Sequence, residues 1–152
     1  MIKEINVSHR ELVDAGATWL NKKAPNVFYK CQFVCKEMKC LGTNEIPDII
    51  GLRPTGSILI EVKVSIADFK KDRNKKGRDI NIPQLGIRKF YLAPKGLIQT
   101  YMLPDNWGLL EWNGSAIELT KHSSEFVESK VSLNFIYHSI LRRSVKPQVF
   151  SF

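Results

Sequence analysis

Residues 57–63 constrain the fold of this chain more than any other segment. An apolar run at 57–60 is typical of a buried β-strand, and Glu61 and Lys63 follow it directly. Side chains at positions i and i+2 of a strand point to one face, so we expect these two charges to lie side by side. Such charges are costly at the end of a buried strand unless a metal ion or a phosphate meets them. The segment therefore predicts a strand that ends at a polar site.

A tight turn places a second acid beside this strand. Pro54 and Gly56 occupy β-turn positions that favour these residue types. If Arg53 faces Gly56 across a two-residue loop, the same register puts Asp48 opposite Glu61, with Cβ atoms about 4.5–5.5 Å apart. Two carboxylates at that distance repel each other, and a divalent cation with oxygen ligands would relieve the repulsion. A slip of one residue or a bulge stays open, because a type I turn twists a two-residue hairpin the unfavoured way.

Hydrophobic periodicity and turn residues divide the whole chain into helices and strands. A capping box at 8–11 begins a helix that runs to about residue 23, and Ser65 caps a short helix. The predicted strands are 27–35, 46–52, 57–64 and 88–93, followed by a hairpin of 109–112 and 116–119 with a type I′ turn at 113–114. The order of helix, three strands, helix, strand, hairpin and helix predicts a mixed α/β domain with helices on a central sheet.

The last predicted helix begins at Ser123 or Ser124. Glu125 and Glu128 would lie in its first turns, where acids complement the helix dipole, and Arg142 and Arg143 in its last. Its expected buried stripe consists of Phe126, Val131, Phe135, Ile136 and Ile140.

Length and composition predict one domain over residues 1–152, with a tail at 144–152 that is loosely held. No stretch approaches the roughly 20 apolar residues of a membrane span, and the first residues carry no signal-peptide pattern. We therefore expect a cytoplasmic protein without membrane contact. Cys31, Cys35 and Cys40 are too few for a cysteine-bound iron–sulfur cluster and favour structural or free thiols. Cys31 and Cys35 would share a face if their segment is a strand.

The charge balance is basic, with 23 Lys and Arg against 15 Asp and Glu and a formal net charge of +8. Such an excess favours polyanions, nucleic acid first, although a merely soluble basic protein stays open. The densest run is predicted to be a flexible loop that contacts a phosphate backbone or is simply solvated. Its members are Lys70, Lys71, Arg73, Lys75, Lys76 and Arg78.

The motifs resemble those of the PD-(D/E)xK nuclease superfamily, which has a restriction-endonuclease-like fold. Pro47 and Asp48 are followed, after twelve positions, by Glu61, Val62 and Lys63. The longer run at 61–73 is similar to that of the MmcB-type DNA-repair proteins, and segments 88–93 and 103–109 continue the likeness, which spans roughly residues 8–140. Ile66 replaces a basic residue of the family run, and 74–83 lacks the aromatic stretch found there. Substrate choice is therefore not carried over.

The resemblance implies a metal-dependent DNA endonuclease that hydrolyses phosphodiester bonds in DNA repair or phage DNA metabolism. Asp48 and Glu61 would bind Mg²⁺, or Mn²⁺ in its place, together with the backbone carbonyl of Val62. Lys63 would position a water molecule and neutralise charge on the phosphate.

Several roles stay open. Glu11 is either a further metal ligand or only part of the capping box, and Gln84 either contacts substrate or is a loop residue. Ser65 and Asp68 either cap a helix or support the site from behind. Glu61 and Lys63 could instead form a plain surface ion pair. At the level of function, a non-catalytic nucleic-acid-binding protein with this fold and an RNA-directed nuclease are the alternatives, and a homodimer is compatible with cutting both strands.

Overall fold

A six-stranded mixed sheet with three helices packed against it forms the frame of the protein. The computed structural model describes residues 4–25, 28–39, 46–74 and 83–152. The strands are β1 (Phe33–Lys36), β2 (Ile49–Arg53), β3 (Gly56–Val62), β4 (Arg88–Pro94), β5 (Gly108–Trp112) and β6 (Ile117–Lys121). The helices are α1 (His9–Thr18), α2 (Ile66–Arg73) and α3 (Lys130–Ser144), with a π-helical turn at Trp19–Lys23 and a 3₁₀ turn at Thr100–Met102.

The strands lie in the sheet in chain order, from β1 at one edge to β6 at the other. β3, β4 and β5 run parallel, and the outer pairs β1–β2, β2–β3 and β5–β6 are antiparallel. The first hairpin pairs Arg53 with Gly56 and Ile49 with Ile60, which confirms the register expected from the turn. Gly56 adopts a φ of 140°, a conformation that glycine accepts without strain.

The two faces of the sheet bury separate cores. α1 covers one face through Leu12 and Val13, which pack with Ile58, Ile60 and Val62 of β3. Gly16 allows this close approach, because a Cβ there would lie 2.6 Å from Cδ1 of Ile49. On the other face, Phe69 of α2 and Ile136 of α3 pack with Leu59, Tyr91 and Trp107. Each strand of the sheet centre is therefore covered on both sides, as its continuous apolar sequence requires.

The predicted strand at 27–35 is wrong over most of its length. Only Phe33–Lys36 is a strand, because the N–H groups of Phe28, Tyr29 and Lys30 all donate to the carbonyl of Pro25 in a preceding turn. Val27 and Cys40 lie outside the described residues. Because the segment is not one strand, Cys31 and Cys35 do not share a face: Cys31 packs on the α1 face of the sheet and Cys35 on the opposite face. Both are free thiols, and burial raises the pKa of Cys31 to about 12.

The last helix begins later than predicted. Ser129 caps it by accepting the N–H of Ser132, so Glu125 and Glu128 lie before the helix and not in its first turns. Arg142 and Arg143 occupy the last turn, as expected. Of the expected stripe, Phe126 and Ile136 are buried, but Val131 is 66% exposed. The stripe was misplaced because Phe126 packs into the core from a loop.

Two local predictions need smaller corrections. The β5–β6 hairpin forms, but its loop is longer than the predicted two-residue turn. Asn113 bonds Ser115 and Ala116 through its own side chain and closes a four-residue loop. Lys70, Lys71 and Arg73 belong to α2 and not to a flexible loop. No helix within the described ranges is long and apolar enough to cross a membrane.

Candidate functional site

Asp48 is held where three elements of the fold meet. It directly precedes β2, and its Oδ2 accepts the N–H of Val62 at the end of β3 at 2.8 Å. Its backbone carbonyl accepts the N–H of Glu37, just past β1, also at 2.8 Å. The side chain remains 18% exposed. The acid is therefore fixed in position and still reaches solvent.

Two residues that the sequence interpretation did not single out join Asp48. Nε2 of His9, in the first turn of α1, lies 3.5 Å from Oδ1 of Asp48. Glu37 completes a set whose ligand atoms all lie within 4.8 Å of one another. We call His9, Glu37 and Asp48 the donor cluster. Glu37 has a φ of 47°, which is uncommon for a residue other than glycine.

Lys63 lies at the same end of β3 but on the α2 side. Strand alternation puts Glu61 and Lys63 on the face of Leu59, against α2. The Lys63 ammonium lies 3.3 Å from Oδ1 of Asp72 and 3.6 Å from Oδ2 of Asp68. Lys63 is only 7% exposed. Two carboxylates of α2 thus hold this lysine almost completely inside the protein.

Asp72, the other acid that pairs with Lys63, was also missed by the sequence interpretation. It is 2% exposed, and its Oδ2 accepts a hydrogen bond of 2.6 Å from the hydroxyl of Tyr91. Ser65 caps α2 by accepting the N–H of Asp68, which leaves the Asp68 carboxylate available to Lys63. A buried lysine with a buried acid is stable only when the remaining polar atoms are also bonded, and Tyr91 supplies such a bond.

The predicted triad is therefore split between two layers. α1 brings His9 to Asp48, and α2 brings Asp68 and Asp72 to Lys63. Glu61 lies on β3 and is partly exposed, and it is not a member of the donor cluster that the described residues form. The backbone of Val62 joins the two halves, since its N–H is bound by Asp48.

Glu11 completes the capping box of α1. Its Oε2 accepts the N–H of Ser8 at 2.8 Å, and the Ser8 hydroxyl accepts the N–H of Glu11. These hydrogen bonds lower the pKa of the Glu11 carboxyl below its usual value. The carboxylate is thus engaged at the helix terminus, while His9, two residues earlier, is the α1 side chain that reaches Asp48.

Gln84 lies at the other end of β3. It forms an isolated bridge with Glu128, whose carboxylate bonds the backbone of Ser57 near the start of that strand. Ser57 and Glu61 are about 13 Å apart along an extended strand. The structure therefore does not bring Gln84 to Asp48 or Glu61.

The cations of the basic run divide into three groups. Lys70 and Lys71 are exposed on α2. Arg73 is partly buried, donates to the carbonyl of Met102 at 2.8 Å and lies over the ring of Phe69. Lys75, Lys76 and Arg78 lie outside the described residues. Among the described members of the run, Lys70 and Lys71 are therefore the exposed charges.

No protein-family model matches this chain, and no curated protein resembles it significantly. Among solved structures, a protein of unknown function from Silicibacter pomeroyi has a similar fold, with a TM-score of 0.51 and 21% sequence identity. The similarity covers 73% of this chain and 79% of that one. At this identity the likeness concerns the fold alone.

Proposed function

We propose that this chain is a metal-dependent DNA endonuclease with a restriction-endonuclease-like core. The observation that carries the proposal is the register of the β2–β3 hairpin, whose last pair is Ile49 with Ile60. One further step in this register puts Asp48 opposite Glu61. Lys63 follows two residues later. The order of one helix, three antiparallel strands, a helix and a parallel strand agrees with the core expected from the resemblance.

The side chains at this end of the sheet suit a divalent cation. The donor cluster offers two carboxylates and one imidazole, and Glu61 is a further, partly exposed carboxylate at the end of β3. Carboxylates suit Mg²⁺ and Mn²⁺, and an imidazole shifts the preference toward Mn²⁺ and later transition metals. Asp48 is common to the ligand set implied by the resemblance and to the donor cluster. We therefore assign Asp48 as the central ligand, with Glu61, His9 and Glu37 as its candidate companions.

The chain's own residues have separate parts in the reaction. A bound divalent ion supplies an activated water and neutralises charge on the phosphate. Asp48 is oriented for binding by the N–H of Val62, and Lys63 is a fixed positive charge for the phosphate. Asp72 and Tyr91 hold the lysine in place, which limits its motion during the reaction. Lys70 and Lys71 offer exposed charge to the DNA backbone.

A specific observation favours a second candidate, a nucleic-acid-binding protein that does not cleave. Lys63 is nearly buried and paired with Asp68 and Asp72, and one oxygen of Asp48 is occupied by a backbone N–H. Lys63 and Asp48 would make the same contacts in a protein that uses them only for stability. The basic surface charge alone would then bind the nucleic acid.

Cleavage of supercoiled plasmid in Mg²⁺ or Mn²⁺ separates the two candidates. We expect nicking or linearisation by the wild-type protein, and a loss of at least about 100-fold in Asp48→Asn, Glu61→Ala and Lys63→Ala. The first two changes remove ligands of the cation, and the third removes positive charge from the phosphate. Asp105→Asn is the matched control, because Asp105 is an exposed acid on a distant turn. A structured RNA in the same assay tests the RNA-directed alternative.

Two results would contradict the endonuclease proposal. One is a well-folded wild-type protein that binds DNA and cleaves neither DNA nor RNA with either metal. The other is cleavage that persists unchanged in folded Asp48→Asn and Lys63→Ala.

A further inference from the structure

An open groove runs along the outer side of β1, between α1 and α3. We call it the β1 groove and define it by Lys22, Lys30, Phe33, Lys36, Arg53 and Tyr137, which line it. Its volume is about 1300 Å³. Pockets for small molecules usually measure about 300–1,000 Å³, so this groove is large enough for a segment of a polymer.

The charge of the β1 groove favours a polyanion. Four cationic side chains line it, and Asp14 is the one acid among its described lining residues. Asp14 and the Lys36 ammonium pair at 2.7 Å and cancel each other's charge, which leaves exposed positive charge at Lys22 and Lys30. Two copies of such a surface would repel each other, which argues against a second copy of this chain as the occupant.

Aromatic rings accompany these charges. Phe33 of β1 is 62% exposed and Tyr137 of α3 is 39% exposed, and both line the groove. Positive charge combined with exposed rings on which bases stack is the usual composition of a site for single-stranded nucleic acid. A duplex would not present its base faces to these rings.

The edge of the sheet adds polar groups to the groove. β1 is the first strand of the sheet, and the bond from the N–H of Glu37 to the carbonyl of Asp48 fixes which residues face β2. By the alternation of an antiparallel pair, the backbone groups of Val34 and Lys36 point outward, into the groove. Outward N–H groups can donate to phosphate oxygens.

The groove also leads to the donor cluster. Lys36 lines the groove, and the next residue is Glu37, which belongs to the cluster with His9 and Asp48. We propose that the β1 groove binds a single strand of nucleic acid and guides it to the donor cluster. The guiding part rests on the proposed function, and the binding part does not.

Fluorescence anisotropy with a labelled dT12 oligonucleotide tests binding, in EDTA so that no metal contributes. For Lys22→Glu with Lys30→Glu we expect affinity to fall at least about tenfold and the slope of log K against log salt to decrease by about 1.4, since each phosphate contact contributes about 0.7. For Phe33→Ala we expect a loss of about 5- to 150-fold from stacking. Lys95→Glu with Lys130→Glu is the charge-matched control and should bind nearly as the wild type. Circular dichroism of each variant verifies the fold.

Three results would overturn the inference. The first is no binding of dT12 by the wild type, and the second is an equal loss in the control variant. The third is an acidic peptide of equal charge that binds as tightly and depends on the same lysines, since the groove would then be a site for an extended protein segment.

Binding that survives in Asp48→Asn while plasmid cleavage never occurs would refute the endonuclease and support the groove. Cleavage that persists while groove variants bind dT12 normally would refute the groove alone.

Discussion

The two ends of β3 each hold a carboxylate that bonds backbone N–H groups, but they use it differently. At the start of the strand, Glu128 accepts the N–H groups of Ser57 and Gly86, at 3.1 and 2.8 Å, and the Ser57 hydroxyl as well. These three donors are neutral groups, and their hydrogen bonds hold the segment before α3 against the sheet. At the other end, Asp48 accepts one N–H and faces His9.

This difference separates a structural carboxylate from one that can take a ligand. A carboxylate offers about four acceptor positions. Both Glu128 oxygens accept from the chain, which ties the segment before α3 to the sheet. Asp48 has one oxygen bonded to backbone and the other 3.5 Å from an imidazole, and Glu37 belongs to the same donor cluster. Our proposal therefore places the ligand site at the end of β3, whereas the Glu128 carboxylate at the start of the strand is fully used in holding the fold.

The largest effect that we predict on stability is that of Asp72→Ala. The change leaves the Lys63 ammonium nearly buried without its closest acid, and breaking a buried pair in this way costs about 3–5 kcal/mol. We expect about 3 kcal/mol, because Asp68 remains 3.6 Å away. Urea unfolding measures the change. A loss below about 1 kcal/mol would mean that Lys63 reaches solvent and is not held at the end of β3 by α2.

Glu128→Ala should cost about 2 kcal/mol, because it removes the acceptor of the Ser57 N–H in a partly buried site and leaves the Gly86 N–H with the Ser57 hydroxyl alone. The same unfolding experiment measures it, and Glu125→Ala, which removes only an exposed ion pair with Arg88, is the control. Metal affinity should not change in either variant. Reduced Mn²⁺ binding in folded Glu128→Ala would show that Glu128 is not a purely structural carboxylate and would contradict its contrast with Asp48.

Glu11→Ala should have the smallest effect and should sharpen the assignment within α1. Because hydrogen bonds lower the pKa of Glu11 in the folded state, its stabilising contribution is present above the usual pKa of 4.5 and disappears as pH falls through the lowered value. Thermal melts should show a small difference from wild type at pH 7 that shrinks as the pH falls below 4.5. Mn²⁺ affinity should be unchanged, and a clear decrease would make Glu11 a ligand.

The hairpin was predictable because its determinants are local. Pro54 and Gly56 set the turn, and the two-residue loop between Arg53 and Gly56 set the register that the structure has. The site was only partly predictable. His9, Glu37 and Asp72 are far from the motif in sequence or hidden in a polar run, and no local pattern marks the bonds that they form. Glu128 was misassigned because an acid before a helix is also typical of a first turn.

Binding of Mn²⁺ to Asp48→Asn tests the central claim most directly. Electron paramagnetic resonance distinguishes free from bound Mn²⁺, and Asp105→Asn serves as the control for the loss of one acid. Our account predicts that the wild type and the control retain bound Mn²⁺ and that Asp48→Asn, still folded, leaves the ion free in solution. Equal binding by all three proteins would contradict a cation site at the end of β3.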